Sequence, residues 1–282
     1  MQVIILAAGK GERLMPLTSN TPKSLLQIGN GVTILEQQLE NIKEVPEVKE
    51  VVLVLGYRAE QVEAKLRGYN TAHLQVRTVY NPFYAHSNNL ISLWFARPYL
   101  LEKFVVLNGD NVFHHKILAG MLSHEVRGNI VMVIDHKDAY DQDDMKVQLD
   151  GNVITQVSKK IAVEKADGES VGMIRFAGTG ARKLKHVLDT MVREECNKNV
   201  FWLSAIQHII DEGFPVHFYV CDRNDWAEID FHPDFELIQS NLSRYSEIAA
   251  KWREPKVVSQ DFSDASPEKT HYENKMDHSR TI

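Results

Sequence analysis

"ILAAGKGERLMPLTSNTPKSLL", residues 5–26, places two glycines, two lysines and an arginine in one turn-rich stretch directly after the first apolar run, Val3 to Ala8. An apolar run that gives way to such a loop is the pattern of a buried strand feeding a phosphate-binding turn. The spacing is neither G-x-x-x-x-G-K-[ST] nor G-x-G-x-x-G, so neither common phosphate loop accounts for it. Gly9 and Gly11 lack side chains, and their amides can approach an anion closely. Arg13 offers a planar fork suited to phosphate oxygens, and Lys23 a compact point charge. Pro16 and Pro22 stiffen the loop, so less entropy is lost when it closes on a ligand. The bland alternative is a solvated surface loop.

Outward from this loop, the first 110 or so residues alternate strand and helix. Buried strands are expected at Val3–Leu6, 48–56 and 103–111, and an alternating one at 74–80. Helical spacing marks 33–45, 58–68 (closed by Gly68) and 88–100. That order implies a parallel sheet covered on both faces. The middle is strand-rich, at 129–136, 145–159 and 168–178, with "LDGNV" as a hairpin signal. Helices near 179–195 and 200–212, strands at 216–222 and 226–230, and a helix from about Pro233 to Ala250 follow. The expected fold is α/β and Rossmann-like, with a mixed, mainly parallel sheet and helices on both faces. One domain spans 1–250, with 128–180 as a small strand-rich insertion that binds the acceptor, and 254–282 reads as a flexible polar tail.

The 282 residues are 44% hydrophobic and 25% charged, an ordinary globular composition. A net charge of −6 gives no basic field to collect nucleic acid. No apolar stretch approaches the length of a membrane span. Cys196 and Cys221 match no zinc or redox spacing, which suits a reduced cytoplasmic protein.

If Val3–Leu6 is a central strand, the loop lies beyond its carboxyl end, where ligands bind in open α/β sheets. Two acids also stand at strand ends: Asp110 after "FVVLNG", and Asp230 closing "WAEID", with Glu228 two residues before it. Carboxylates so placed suit magnesium, which completes its shell with phosphate and water oxygens. The alternative for a strand-end aspartate is a turn or helix cap, the better explanation for Asp234. His114, His115 and His124 fall on an expected helix without a fourth metal partner and read as surface residues.

The motif LAAGKGERLMPLT (6–18) followed by PKSLL (22–26) resembles the signature of the nucleotidyltransferases that make nucleotide-activated sugars and alcohols. The resemblance implies that Gly9, Gly11, Arg13 and Lys23 hold a triphosphate and that Asp110 and Asp230 bind Mg2+, with Glu228 assisting. "NPFYAHSNNLISLW" (81–94), "LNGDNVF" (107–113) and "WAEIDFHPDFELI" (226–238) are similar to segments of the bacterial cytidylyltransferases that activate phosphocholine or aminoalkyl phosphonates. The likeness covers about residues 1–245 and implies CTP as the donor. By position it puts Ser87 and Asn88 at the pyrimidine, Leu6, Ala7, Ala8 and Gly56 beside the nucleotide, and Lys159 on the acceptor phosphate. An amide suits a cytosine edge, though a helix N-cap explains one of Asn88 and Asn89 equally well. Trp202 matches an aromatic of the choline-type enzymes, which favours a quaternary ammonium. Asp144 stands where those enzymes have another aromatic and favours a primary amine or hydroxyl. The balance leans towards an aminoalkyl phosphonate or another small phospho-compound. A sugar-1-phosphate nucleotidyltransferase using UTP and a non-catalytic regulatory relative are the rivals. Monomer and homodimer both stay open.

Overall fold

In the computed structural model, which describes residues 1–67, 69, 73–123 and 128–245, strand β1 (Gln2–Ala7) lies inside a nine-stranded sheet. A short hairpin, β2 (Gln27–Gly29) and β3 (Val32–Thr33), leads into α1 (Ile34–Lys43). Then come β4 (Glu50–Leu55), α2 (Ala59–Leu66), β5 (Gln75–Tyr80), α3 (Asn89–Ala96), β6 (Lys103–Asn108), β7 (Asn111–Phe113) and α4 (His115–Leu122). The second half carries β8 (Ile130–Asp135), β9 (Lys146–Asp150), β10 (Val153–Ser158), β11 (Gly168–Ala177), α5 (Gly178–Met191) and α6 (Leu203–Asp211). It ends with β12 (His217–Val220), β13 (Trp226–Glu228) and α7 (His232–Asn241). Gly68, His124 and the tail from 254 lie outside the described residues, as does the expected helix beyond 245.

The sheet order is β5-β4-β1-β6-β11-β8-β12-β10-β9. Strands β5, β4, β1 and β6 are parallel, and β11 enters antiparallel beside β6. The strands of the strand-rich middle, β8 to β11, therefore belong to the same sheet. A local sequence pattern shows that strands exist but not which edge they join.

Side-chain alternation along the strands divides the core in two. Ile4, Val52, Val106 and Ile174 face α3, α5 and α6. Val3, Ile5, Leu53 and Leu107 face α1, α2 and α4. A third cluster holds Leu14, Leu26 and Ile28 against Val112, Ile229 and Ile238. This last cluster pins the 8–26 loop to the chain that carries Asp110 and Asp230. Helix α1 begins at a true capping box, Thr33 with Glu36. Its buried amides complete the anchorage: Gln38 Nε2 donates to the carbonyls of Asn108 and Asn111, and Gln37 Nε2 to that of Phe113. Among the described residues no helix is long and apolar enough to cross a membrane.

Candidate active site

The carboxyl ends of β1 and β6 open into a cleft of about 480 Å³. Leu6, Ala7, Ala8, Gly9 and Gly11 form one wall. Gly11 sits at φ +65°, and a Cβ there would lie 3.1 Å from Thr18 Cγ2 and 3.2 Å from Lys23 Cβ. Its carbonyl accepts from Thr18 Oγ1 at 2.8 Å. The glycine thus permits the turn that returns Lys23 to the cleft. Gly56 does not line the cleft. A Cβ on it would meet Tyr84 Cβ at 2.5 Å and the Ala8 carbonyl at 2.6 Å, so it lets the wall close from behind and contributes no contact surface.

Lys23 Nζ donates to Asp110 at 2.9 Å and to Asp230 at 3.1 Å. Burial works against its charge, but the two carboxylates prevail and hold its pKa above the ordinary lysine value. Arg13 Nη1 reaches Asp230 at 3.1 Å and Asp143 at 2.9 Å, and its guanidinium lies over the Phe231 ring. Loop cations and strand-end acids therefore share one wall of one cleft. Asp234 accepts from the amides of Asp230 and Phe231, the cap role expected of it.

Asp110, Glu228 and Asp230 each offer an oxygen, all within 4.8 Å of one another. Burial pushes the Glu228 carboxyl well above its usual range, and repulsion from Asp110 and Asp230 adds to the shift. Asp110 Oδ1 is buried and has no hydrogen-bond partner. Three crowded hard oxygens, beside a buried Asp110 oxygen without a hydrogen-bond partner among the described residues, fit a small divalent cation such as Mg2+. Lys23 supplies part of that positive charge from within the same cluster.

The far wall departs from expectation. Asp144 is turned away from the cleft: it pairs with Lys137 Nζ at 2.9 Å and accepts from the Asp141 amide at 2.7 Å. Asp143 faces the cleft instead and accepts from Lys159 Nζ at 2.7 Å. The cause is Lys146, whose fully buried ammonium donates to the carbonyls of Asp141, Gln142 and Asp144 and so fixes the phase of the turn. Lys159 lines the cleft and Lys160 is exposed outside it; both sit in the turn just after β10, so turn geometry and not strand alternation separates them.

Trp202 reaches the wall but is only 1% exposed, and its indole N–H donates to Asn108 Oδ1 at 3.0 Å. Phe201 is the most exposed aromatic of the cleft, 40% exposed, with Lys159 Nζ 5.0 Å from its ring centre, and half-buried Tyr84 also lines it. The buried Trp202 indole therefore offers little cage surface, and Phe201 presents an exposed ring in its place. Ser87 and Asn88 both line the cleft. Asn88 is also the N-cap of α3, its side chain accepting from the Asn89 amide at 2.7 Å, while Asn89 Oδ1 accepts from the Trp202 amide. His114 is not a surface residue: it is 4% exposed and caps α4.

Sequence reasoning missed Asp143, Glu169, Ser170 and Phe201. Glu169 is 5% exposed in the cleft floor, and Lys137 pairs with both it and Asp144. Burial pushes its carboxyl up to about 7, against the pull of Lys137, with Asp144 and Asp135 adding to the rise. An acid inside an apolar-flanked strand was the available signal.

This site belongs to an enzyme class. Residues 2–159 match the model of the nucleotidyl transferase family, and the chain is a member of it. A choline-phosphate cytidylyltransferase of Streptococcus pneumoniae is 27% identical over 249 residues, covering 86% of this chain and 98% of that protein. A CTP:phosphoglutamine cytidylyltransferase of Campylobacter jejuni is 23% identical, covering 84% and 98%. The solved CTP:phosphocholine cytidylyltransferase of Streptococcus pneumoniae superposes with a TM-score of 0.69 at 24% identity, over 86% of this chain and 98% of that one. The fold is thus the mixed α/β fold of the nucleotidyltransferases.

Proposed function

We propose that the protein transfers CMP from CTP to a small phosphorylated or phosphonylated amine and releases pyrophosphate. The observation that carries this reading is the convergence of Arg13 and Lys23 on Asp110, Asp230 and Glu228, with Lys159 also lining the cleft. Both reactants are anions, so their approach needs fixed positive charge on each side of the α-phosphorus. The backbone of Gly9 and Gly11, Arg13 and Lys23 hold the triphosphate. Lys159 holds the acceptor's phosphate or phosphonate, and one of its oxygens attacks the α-phosphorus in line with the departing pyrophosphate. The P–O bond to the β-phosphate breaks, and its charge falls on Arg13 and Lys23. No residue becomes covalently attached. Mg2+ held by Asp110, Asp230 and Glu228 would neutralise phosphate charge and align the two groups.

The cytidylyltransferases among the relatives support CTP as donor. Ser87 and Asn88 line the cleft, where their hydroxyl and amide would suit a cytosine edge. For the acceptor, binding the phosphates draws Arg13 and Lys159 away from Asp143, and Glu169 already lies below. An ammonium on the acceptor restores the balance that the phosphates upset. A CMP-5'-(3-aminopropyl)phosphonate synthase of Streptomyces rubellomurinus, 37% identical over 118 residues (42% of this chain, 18% of that protein), agrees with such an acceptor.

The test is a pyrophosphate-release panel of four nucleoside triphosphates against 2-aminoethylphosphonate, phosphoethanolamine, phosphocholine, phosphorylated polyols and sugar 1-phosphates. Turnover with CTP and an amine-bearing acceptor is expected. Turnover only with UTP and a sugar phosphate, or none with any acceptor, contradicts the reading.

A further inference from the structure

Glu228 and Asp230 are carried by β13 and the residues just after it. This three-residue strand has one sheet partner, the equally short β7. In that pair Trp226 stands opposite Phe113 and Glu228 opposite Asn111. Backbone bonds from the His114 N–H to the Asp225 carbonyl and from the Ile229 N–H to the Asp110 carbonyl flank the ladder, and a pairing this short leaves the finer orientation of the strand to its side chains. Trp226 and Glu228, two residues apart, project from the same face, so whatever orients the indole also orients the carboxylate.

The indole is held by a group that does not line the cleft. Trp226 is 3% exposed, and its Nε1–H donates to Asp135 Oδ2 at 2.7 Å. Asp135 ends β8 and is completely buried. The same oxygen accepts from Arg223 Nη1 at 3.0 Å, and the Arg223 guanidinium lies over the Trp226 ring at 5.5 Å. The other oxygen, Oδ1, is buried without a hydrogen-bond partner. A half-satisfied buried carboxylate is a poor stabilising device, and a well-packed apolar residue would do better. What Asp135 provides is direction: it joins the end of a central-sheet strand to the start of the short strand that bears Glu228 and leads directly to Asp230.

We propose that Asp135 is a positioning residue for a divalent-cation seat. Through the Trp226 indole it fixes the roll of β13, and with it the placement of the Glu228 and Asp230 oxygens beside Asp110. The inference rests on reading those three acids as a metal seat, and it adds a residue outside the cleft on which the seat depends. Outer partners of metal ligands commonly control affinity by about 10–100-fold.

The test is Mn2+ binding to the full-length protein without nucleotide, followed by loss of the free-ion paramagnetic resonance signal. Asp135→Ala removes the acceptor, and Trp226→Phe removes the indole N–H while keeping a ring. Asp135→Asn keeps an acceptor oxygen for the indole. Circular dichroism and melting establish which variants fold. The expected result is Mn2+ affinity about tenfold or more lower in Asp135→Ala and Trp226→Phe, and about threefold or less lower in Asp135→Asn. A merely structural role would lower melting temperature without this ordering of affinities. If folded Asp135→Ala or Trp226→Phe binds Mn2+ within about twofold of the unaltered protein, the positioning role is overturned. Should Asp135→Ala fail to fold, Trp226→Phe decides alone. If the unaltered protein binds no Mn2+, the seat itself is overturned and this inference with it, a result distinct from equal binding by all forms.

Discussion

Lys23 stands between Asp110 and Asp230, the two acids that would also grip a cation. Its removal should damage chemistry more than folding, because the charge it supplies counts most when pyrophosphate departs. Lys23→Ala is expected to lower kcat by about 100-fold or more at saturating Mg2+, the scale of a lost electrostatic stabiliser. Its melting temperature with Mg2+ should change only modestly. Steady-state pyrophosphate release beside thermal melts checks this, and wild-type turnover would refute the role. Lys159 and Lys160 make an internal control, since one lines the cleft and the other does not. Lys159→Ala should raise the acceptor KM by about tenfold, one charge-assisted hydrogen bond's worth. Lys160→Ala should leave it unchanged.

At the scale of elements, the turn before β9 decides which acid meets the acceptor. Lys146 draws in three carbonyls of residues 141–144, which presents Asp143 to Arg13 and Lys159 and hides Asp144. Lys146→Met should loosen this turn. Hydrogen exchange at the Asp144 and Lys146 amides should quicken, and kcat/KM for the acceptor should fall about tenfold while KM for CTP holds. Unchanged exchange would show that the turn is held by other means. This is also where the sequence stops being legible. "DQDDMKV" shows acids but not their phase, because the phase depends on a lysine burying itself without a carboxylate partner. The 5–26 loop was readable because its glycines, Arg13 and Lys23 act through local spacing. Gly56 was placed beside the nucleotide by position, yet its role is to admit Tyr84 and Ala8, a contact between segments far apart in the chain.

Over the whole molecule, the parallel half β5-β4-β1-β6 was legible because β1, β4 and β6 are bounded apolar runs, β5 is an alternating one, and helical spacing separates them. The strands that became β8 to β12 were also legible, but their order through β11, β8, β12, β10 and β9 was not, since antiparallel entry at β11 is a tertiary choice. That extension brings Glu169 to the cleft floor and gives stability a pH dependence. With its folded pKa raised to about 7, Glu169 binds its proton more tightly folded than unfolded. Its contribution is fully present below the ordinary glutamate value and is lost as pH rises through about 7. Relative to the unaltered protein, Glu169→Gln should therefore gain about 3 kcal/mol between pH 4.5 and pH 8. Denaturant titrations of both proteins across that range check it, and a constant difference would contradict the shift. The central claim, that the loop cations and the three acids form one machine for nucleotidyl transfer, is tested most directly by pyrophosphate release from CTP and 2-aminoethylphosphonate. The comparison is the unaltered protein with and without Mg2+ against Asp110→Asn with Mg2+. The account predicts turnover only in the first case and at least about a 100-fold loss in the variant. Equal turnover by the variant, or turnover indifferent to chelation, would contradict it.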